Sequence, residues 1–144
     1  ITATAFIHCN FDGVEKIFLP KRAKTKKFLP GVFELSGGHI DYGEDIVGGL
    51  KREVMEEHGM NISVGDVFFV FTYTNEIKHS HSIEVAYFAT FTDPIENIKI
   101  YPEDHSEYIW VSEAELPEQE ITEMELLSIK KGFALLKGES HNFG

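Results

Sequence analysis

The 144-residue chain holds a single cysteine, Cys9, so no disulfide can close within it. A lone thiol fits a reducing compartment, and a cytoplasmic placement is expected. Long apolar runs are also missing. A stretch such as Val67–Phe71 is among the longest, far short of the roughly 20 residues a spanning helix requires, so no membrane partner is expected. No signal-peptide pattern opens the chain at Ile1. Proline is sparse, and none falls between Asn61 and Asp93. Positive charge is the scarcer sign, with 13 Lys and Arg against 24 Asp and Glu for a net charge of −11. So acidic a surface repels a polyphosphate backbone, which excludes duplex nucleic acid bound by general charge.

The scarce positive charge is concentrated. Lys21, Arg22, Lys24, Lys26 and Lys27 stand within seven positions, a local patch suited to steering an anion. No repeat, linker or low-complexity tract divides the chain, and residues 1–144 read as one domain. Residues 2–9 and 15–20 read as strands of a hairpin around the Asp12-Gly13 turn. Residues 32–36 read as a short strand stopped by Gly37-Gly38. A helix follows over about 45–58, with Glu44 and Asp45 at its start and Gly59 at its end. Residues 66–75 and 81–92 read as two longer strands, and 107–111 as another. Ser112 with Glu115, and Thr122 with Glu125, form two capping-box patterns. The second opens a helix to about Lys137, with an apolar stripe of Leu126, Ile129, Phe133 and Leu136. This order predicts an α/β (α+β) fold, a mixed sheet packed between helices.

The segment Gly38–Met60 carries the chemistry. On a helix, Glu53, Glu56 and Glu57 are spaced i, i+3 and i+4 and share one face, beside an apolar stripe of Val47, Leu50 and Val54. Alone, such a run is a solvated acidic face with Arg52 and Lys51 as partners. The surrounding glycines change that reading. Gly37, Gly38 and Gly43 precede the helix and allow close backbone approach. Gly48 and Gly49 lie inside it, where each costs about 1 kcal/mol against alanine, so tight packing is expected there. Three crowded carboxylates call for a counter-charge, and their hard oxygens suit Mg²⁺ or Mn²⁺.

The spacing Gly38, five residues, Glu44, seven residues, Arg52-Glu53-Val54-Met55-Glu56-Glu57-His58-Gly59-Met60 resembles the Nudix box, G-x5-E-x7-R-E-U-x-E-E-x-G-U, at every fixed position. Residues 31–38 and 104–116 resemble the strand entering the box and a later strand with its short helix. The resemblance implies a Nudix fold with a loop-helix-loop metal site. It implies a hydrolase of a nucleoside diphosphate linked to another group, with Mg²⁺ (or Mn²⁺) between the Glu53/Glu56/Glu57 ridge and the diphosphate, activating the attacking water. Arg52 would orient the ridge by pairing with Glu53 or Glu44, and the Gly38 carbonyl would complete the metal shell. Glu103, Asp104 and Glu107 are candidates for a further carboxylate that binds metal or acts as base.

For the nucleotide itself, the sequence offers Arg22 as a phosphate contact, Glu34 just before the glycines, and Phe28, Phe33, Tyr73 and Tyr101 as aromatic candidates near the cleft. His79 and His81 lack a third ligand for zinc, and Trp110 reads as core. Three functions stay open. One is a nucleoside triphosphate pyrophosphohydrolase resembling the MutT-like group, acting on normal or oxidised nucleotides. Another is an ADP-ribose or nucleotide-sugar hydrolase, a subgroup that often carries a proline shortly after the box. The third is a nucleotide-binding sensor without chemistry, which the intact acidic ridge opposes. Either a monomer or a homodimer is compatible with this reading.

Overall fold

Asp12 and Gly13 both take positive φ (52° and 88°), the angles a two-residue hairpin turn requires. The Asn10 side-chain oxygen accepts from the Gly13 N–H at 2.8 Å and fixes the turn. In the computed structural model, which describes residues 1–138, this turn joins β1 (Thr2–Phe11) to β2 (Val14–Arg22). There follow β3 (Ser36–His39), α1 (Ile46–His58), β4 (Ile62–Asn75), β5 (Ser80–Phe91), β6 (His105–Ser112) and α2 (Glu123–Leu136). Short 3₁₀ segments cover Ile95–Asn97 and Glu113–Glu118.

The sheet runs β4-β5-β1-β2-β6, with β3 beside β1. Among the described residues only the β1–β5 pair is parallel. One edge of β1 has two partners. Thr2–Ala5 pair with β3 and His8–Phe11 pair with β2, so the two strands part beside the middle of β1. Alternation along β1 feeds both layers. Ala3, Ala5 and Ile7 are buried with Leu50 and Val54 of α1, Phe18 and Tyr87. Phe6 faces the other way, with Ile17, Leu19 and the α2 residues Ile129 and Phe133. Helices thus cover the mixed sheet on both faces, as the sequence predicts. Among the described residues no helix is long and apolar enough to cross a membrane.

Three local expectations are corrected. The strand expected at 32–36 lies later, at Ser36–His39, and the glycines belong to it; Phe33 makes only an isolated bridge to Lys21. Gly37 does not stop the strand but admits it: a Cβ there would sit 2.1 Å from the Ala3 carbonyl oxygen. The Thr122–Glu125 capping box does not form, since Thr122 makes no side-chain cap and Glu125 turns to the Leu35 N–H at 3.4 Å. The Ser112–Glu115 box does form, at the head of a 3₁₀ turn. Of the two helical glycines, Gly49 is tightly packed, with Ile40 and Glu44 atoms 2.7 and 2.8 Å from where its Cβ would be. Gly48 is exposed and meets only Asp45, at 3.5 Å.

Candidate active site

Helix α1 begins at Asp45, whose carboxylate accepts from the Gly48 N–H, and ends at Gly59 with φ +64°. Between these caps the apolar face fixes the rotation of the helix, and Glu53 and Glu57 turn toward β3. Glu57 Oε1 accepts from the Ser36 hydroxyl at 3.1 Å and the Gly37 N–H at 3.2 Å. Burial raises its pKa well above the usual carboxylate range, with Glu34 and Glu53 adding repulsion. Glu53 lies against Gly38, where a Cβ would stand 2.5 Å from its Oε2. Burial also raises the Glu53 pKa, against the pull of Arg52. Glycine at position 38 is therefore what lets backbone and carboxylate meet.

Arg52 ties the segment together. Its Nε donates to Glu44 Oε2 at 2.6 Å, one terminal nitrogen to Glu53 (3.2 Å) and Glu56 (2.9 Å), and the other to Glu44 (3.0 Å) and the His39 carbonyl (3.1 Å). Glu44 also accepts from the Asp41 N–H at 2.9 Å. The Arg52 hydrogen bond, first, and that amide hold the Glu44 carboxyl down at about 2, and the same carboxylates raise the Arg52 pKa. The expected pairing of Arg52 with Glu53 or Glu44 is thus made to both, and to Glu56. Among the described residues no three acidic, imidazole or thiol groups already stand in ion-holding geometry, and Arg52 holds Glu53 and Glu56. The donor set nevertheless fits a hard divalent cation. Glu57 has no cationic partner among the described residues, and its neighbours on the ridge are carboxylates held by one side chain.

Beside this ridge lies a cavity of about 600 Å³. Four of the sequence candidates, Arg22, Phe28, Glu34 and Tyr73, line it, together with Gly38 and Glu57. Arg22 is not a free steering charge: its Nε donates to the Phe28 carbonyl at 3.0 Å and a terminal nitrogen to Glu34 Oε1 at 3.2 Å. Lys26 pairs with Asp104 at 2.9 Å, while Lys24 and Lys27 are exposed. Glu103, Asp104 and Glu107 are not among the lining residues, and Glu103 and Glu107 are exposed. Phe33 is core, Tyr101 lies outside the lining, Trp110 packs against the α1-side core, and His79 and His81 are exposed.

Sequence reasoning missed several residues here. Thr4, Phe71, Glu84 and Glu125 line the same cavity. Thr4 Oγ1 donates to Glu84 Oε2 at 3.3 Å. Burial raises Glu84 to about 7 and Glu125 well above its ordinary value, each with help from neighbouring acids. His105, fully buried, reaches Glu34 Oε2 with Nε2 at 2.9 Å. His58 is also fully buried, its Nδ1 3.0 Å from the Lys99 carbonyl, and burial holds it down to about 4. A signal existed for Thr4, because it alternates with Ala3 and Ala5. None existed for the acids, which come from distant segments.

A family model described as NUDIX domain matches residues 2–128. A 53-residue stretch is 32% identical to an m7GpppN-mRNA hydrolase of Danio rerio, covering 37% of this chain and 18% of that protein. A 50-residue stretch is 38% identical to the Nudix hydrolase YfcD of Escherichia coli, covering 34% of this chain and 28% of that protein. The matches thus span under a third of either relative. Among solved structures, an Ap4A hydrolase complex of C. elegans superposes with a TM-score of 0.79 at 18% identity, over 95% of this chain and 97% of that one. A MutT Nudix hydrolase of Burkholderia pseudomallei gives 0.73 at 23% identity, over 90% and 95%. The Nudix domain of Shewanella oneidensis NrtR, complexed with ADP ribose, gives 0.74 at 19%, over 94% and 86%.

Proposed function

The chain belongs to the Nudix hydrolase family, which acts on phosphorus anhydride bonds, and on that premise we propose that it converts a nucleoside triphosphate, normal or oxidised, to the monophosphate and pyrophosphate. The observation that carries this reading is the placement of half-buried Glu57 and Gly38 on the lining of one cavity with Arg22, Phe28 and Tyr73. The cavity is of a size to take one nucleoside with its phosphates, within the roughly 300–1,000 Å³ of small-molecule sites.

Glu53, Glu56 and Glu57 would hold Mg²⁺ or Mn²⁺, with the Gly38 carbonyl beside them. When bound, the cation neutralises phosphate charge and lowers the pKa of water. Arg52 keeps Glu53 and Glu56 on one face and, through Glu44, anchors that face to the loop before the helix. Ser36 and the Gly37 N–H orient Glu57. Arg22, oriented by the Phe28 carbonyl, presents positive charge at the cavity lining toward a phosphate. Glu34, gripped by Arg22 and His105, is held in one orientation at the cavity lining.

Product analysis with Mg²⁺ and a panel of deoxynucleoside triphosphates, 8-oxo-dGTP, ADP-ribose and a dinucleoside polyphosphate tests the reading. Pyrophosphate and a monophosphate are expected from the triphosphates, and Glu57→Gln is expected to abolish turnover. AMP and ribose phosphate from ADP-ribose alone would move the protein to the competing substrate class. Nucleotide binding with no turnover of any panel member would favour a sensor. Unchanged turnover in Glu57→Gln would refute the metal ridge.

A further inference from the structure

Strand β4 is terminal in the sheet, and among the described residues no strand pairs with its outer side. A bare edge offers a row of N–H and C=O groups to another strand, and edges are ordinarily blunted by charge, proline or a bulge. The first half of β4 is blunted in this way. Two irregularities interrupt its register with β5 between Val64 and Phe69, and Asp66 lies in the first. The second half is not blunted. From Phe69 to Asn75 the register is regular, and these residues include no charge, no proline and no glycine in a chain of net charge −11. Val67 and Val70 are about half exposed, opposite Tyr87 and Val85 on the α1 side of the sheet. Ile83, opposite Thr72, is exposed beside them. On the other face, Lys131 of α2 lies over the Phe69 ring at 4.2 Å. That sets the exposed Leu127, one turn before Lys131, along the same edge.

We propose that this edge pairs with a second copy of the chain. Residues 69–75 of the two copies lie antiparallel across a two-fold axis at Thr72, and the two sheets become one. The occupant is a second copy because the segment is complementary to itself. Phe69 meets the partner's Asn75, Val70 the partner's Thr74, and Phe71 the partner's Tyr73, and aromatic and β-branched pairs of this kind stabilise a sheet. Two copies of charge −11 repel over most of their surfaces, and the uncharged segment is where they approach without like charges meeting. The charges just outside it complement each other. Asp66 lies six residues before Thr72 and Lys78 six after, and both are exposed, so the axis sets each Asp66 opposite the partner's Lys78. Glu76 falls opposite the partner's Phe68 rather than an acid. An axis moved one residue, to Phe71, would instead set Asp66 against the partner's Glu76, so charge selects the register. Phe71 and Tyr73 also line the cavity. The axis therefore sets the two cavities beside each other on one face of the joined sheet.

The test is light scattering after gel filtration of the full chain over a concentration series, where twice the chain mass is expected. Thr72 is exposed, so it accepts substitution, and at the axis it faces its own copy. Thr72→Asp and Thr72→Lys each set like charges against each other there, and each is expected to weaken association about 100-fold. An equal mixture of the two variants is expected to restore the dimer, with one of each in every pair. A cross-link gives a second reading. Opposed Cα atoms in an antiparallel ladder stand about 4.5 to 5.5 Å apart, within the range a disulfide spans. Thr72→Cys in a Cys9→Ser chain is expected to link two copies on mild oxidation, and Ser63→Cys in the same chain is not. A monomer at every concentration would overturn the proposal. So would a dimer that Thr72→Asp leaves unweakened, a mixture of the charged variants that stays monomeric, or cross-linking as ready through position 63 as through 72. The cysteine variant adds no charge and decides the matter if a charged one does not fold.

Discussion

His105 Nε2 lies 2.9 Å from Glu34 Oε2, while Arg22 holds the other oxygen of the same carboxylate at 3.2 Å. A carboxylate only accepts, so Nε2 carries the hydrogen, which leaves His105 Nδ1 the ring atom without a partner. The grip from two sides fixes one rotamer of Glu34 at the cavity lining. Replacing His105 by leucine is expected to lower kcat/KM about 10-fold with kcat falling more than KM rises, since positioning is lost and binding is not. Gln can still donate to Glu34, so His105→Gln is expected to recover part of the loss. Equal kinetics for the two variants would show that the hydrogen bond is not what His105 contributes.

Arg52→Lys keeps the charge and loses the fork. Lysine is a point charge that cannot bond Glu44 along two edges and also reach Glu53, Glu56 and the His39 carbonyl. The expected result is a fall of about 10- to 100-fold in kcat/KM, a higher Mg²⁺ requirement, and little change in Tm. A magnesium titration of activity beside a thermal melt checks this.

Gly48 and Gly49 are predicted to respond in opposite directions to alanine. Position 48 is open, so helix propensity dominates and Gly48→Ala gains up to about 1 kcal/mol. At position 49 the new methyl would meet Ile40 and Glu44. Gly49→Ala is expected to destabilise the fold by about 1–3 kcal/mol and to push Glu44 off Arg52, so activity falls too. Urea unfolding with parallel kinetics distinguishes the pair.

Two buried groups tilt stability with pH in opposite senses. Burial holds Glu84 up to about 7, above its ordinary 4.5. The unfolded chain gives up that proton first, so the stability present below 4.5 is lost as pH rises toward 7, by about 3 kcal/mol. His58 is held down to about 4 from 6.5. Its stability is full above 6.5 and is lost as pH falls toward 4, by a similar amount. The two oppose each other between 4.5 and 6.5 and partly cancel in the unaltered chain. The difference between it and Glu84→Gln, followed by urea melts in chelator from pH 4 to 8, is expected to fall with pH and flatten above 7. A difference that rises with pH would contradict the burial of Glu84.

What the sequence made readable follows the range of the forces involved. Helix α1, its caps and the face shared by Glu53, Glu56 and Glu57 depend on contacts within a few residues, and fixed spacing exposes them. The hairpin at Asp12-Gly13 is local for the same reason. Strand β3 is hidden in the sequence because a glycine pair looks like a stop. Only the close approach of Ala3 to Gly37 shows why glycine is needed within the strand. Glu125 reads as a cap in the sequence because its partner, Leu35, lies 90 positions away in the chain. Glu84 sits in a strand of ordinary pattern, and its meeting with Thr4 depends on the β1–β5 pairing across 80 positions. Such long-range meetings have no signature in either segment alone.

The parallel pairing of β1 with β5 also sets a timetable. Of the strands in this sheet β1 is synthesised first, and its hairpin with β2 can close at once. The backbone groups of Thr2–Ile7 along the other edge have to wait for Glu84–Ala89. Until then the middle of the future sheet is an open edge of the kind that pairs with stray strands. Closing so large a loop is slow. The nascent chain is therefore most vulnerable to aggregation during the interval when α1, with its acidic ridge complete, has emerged but β5, which covers this edge of β1, has not.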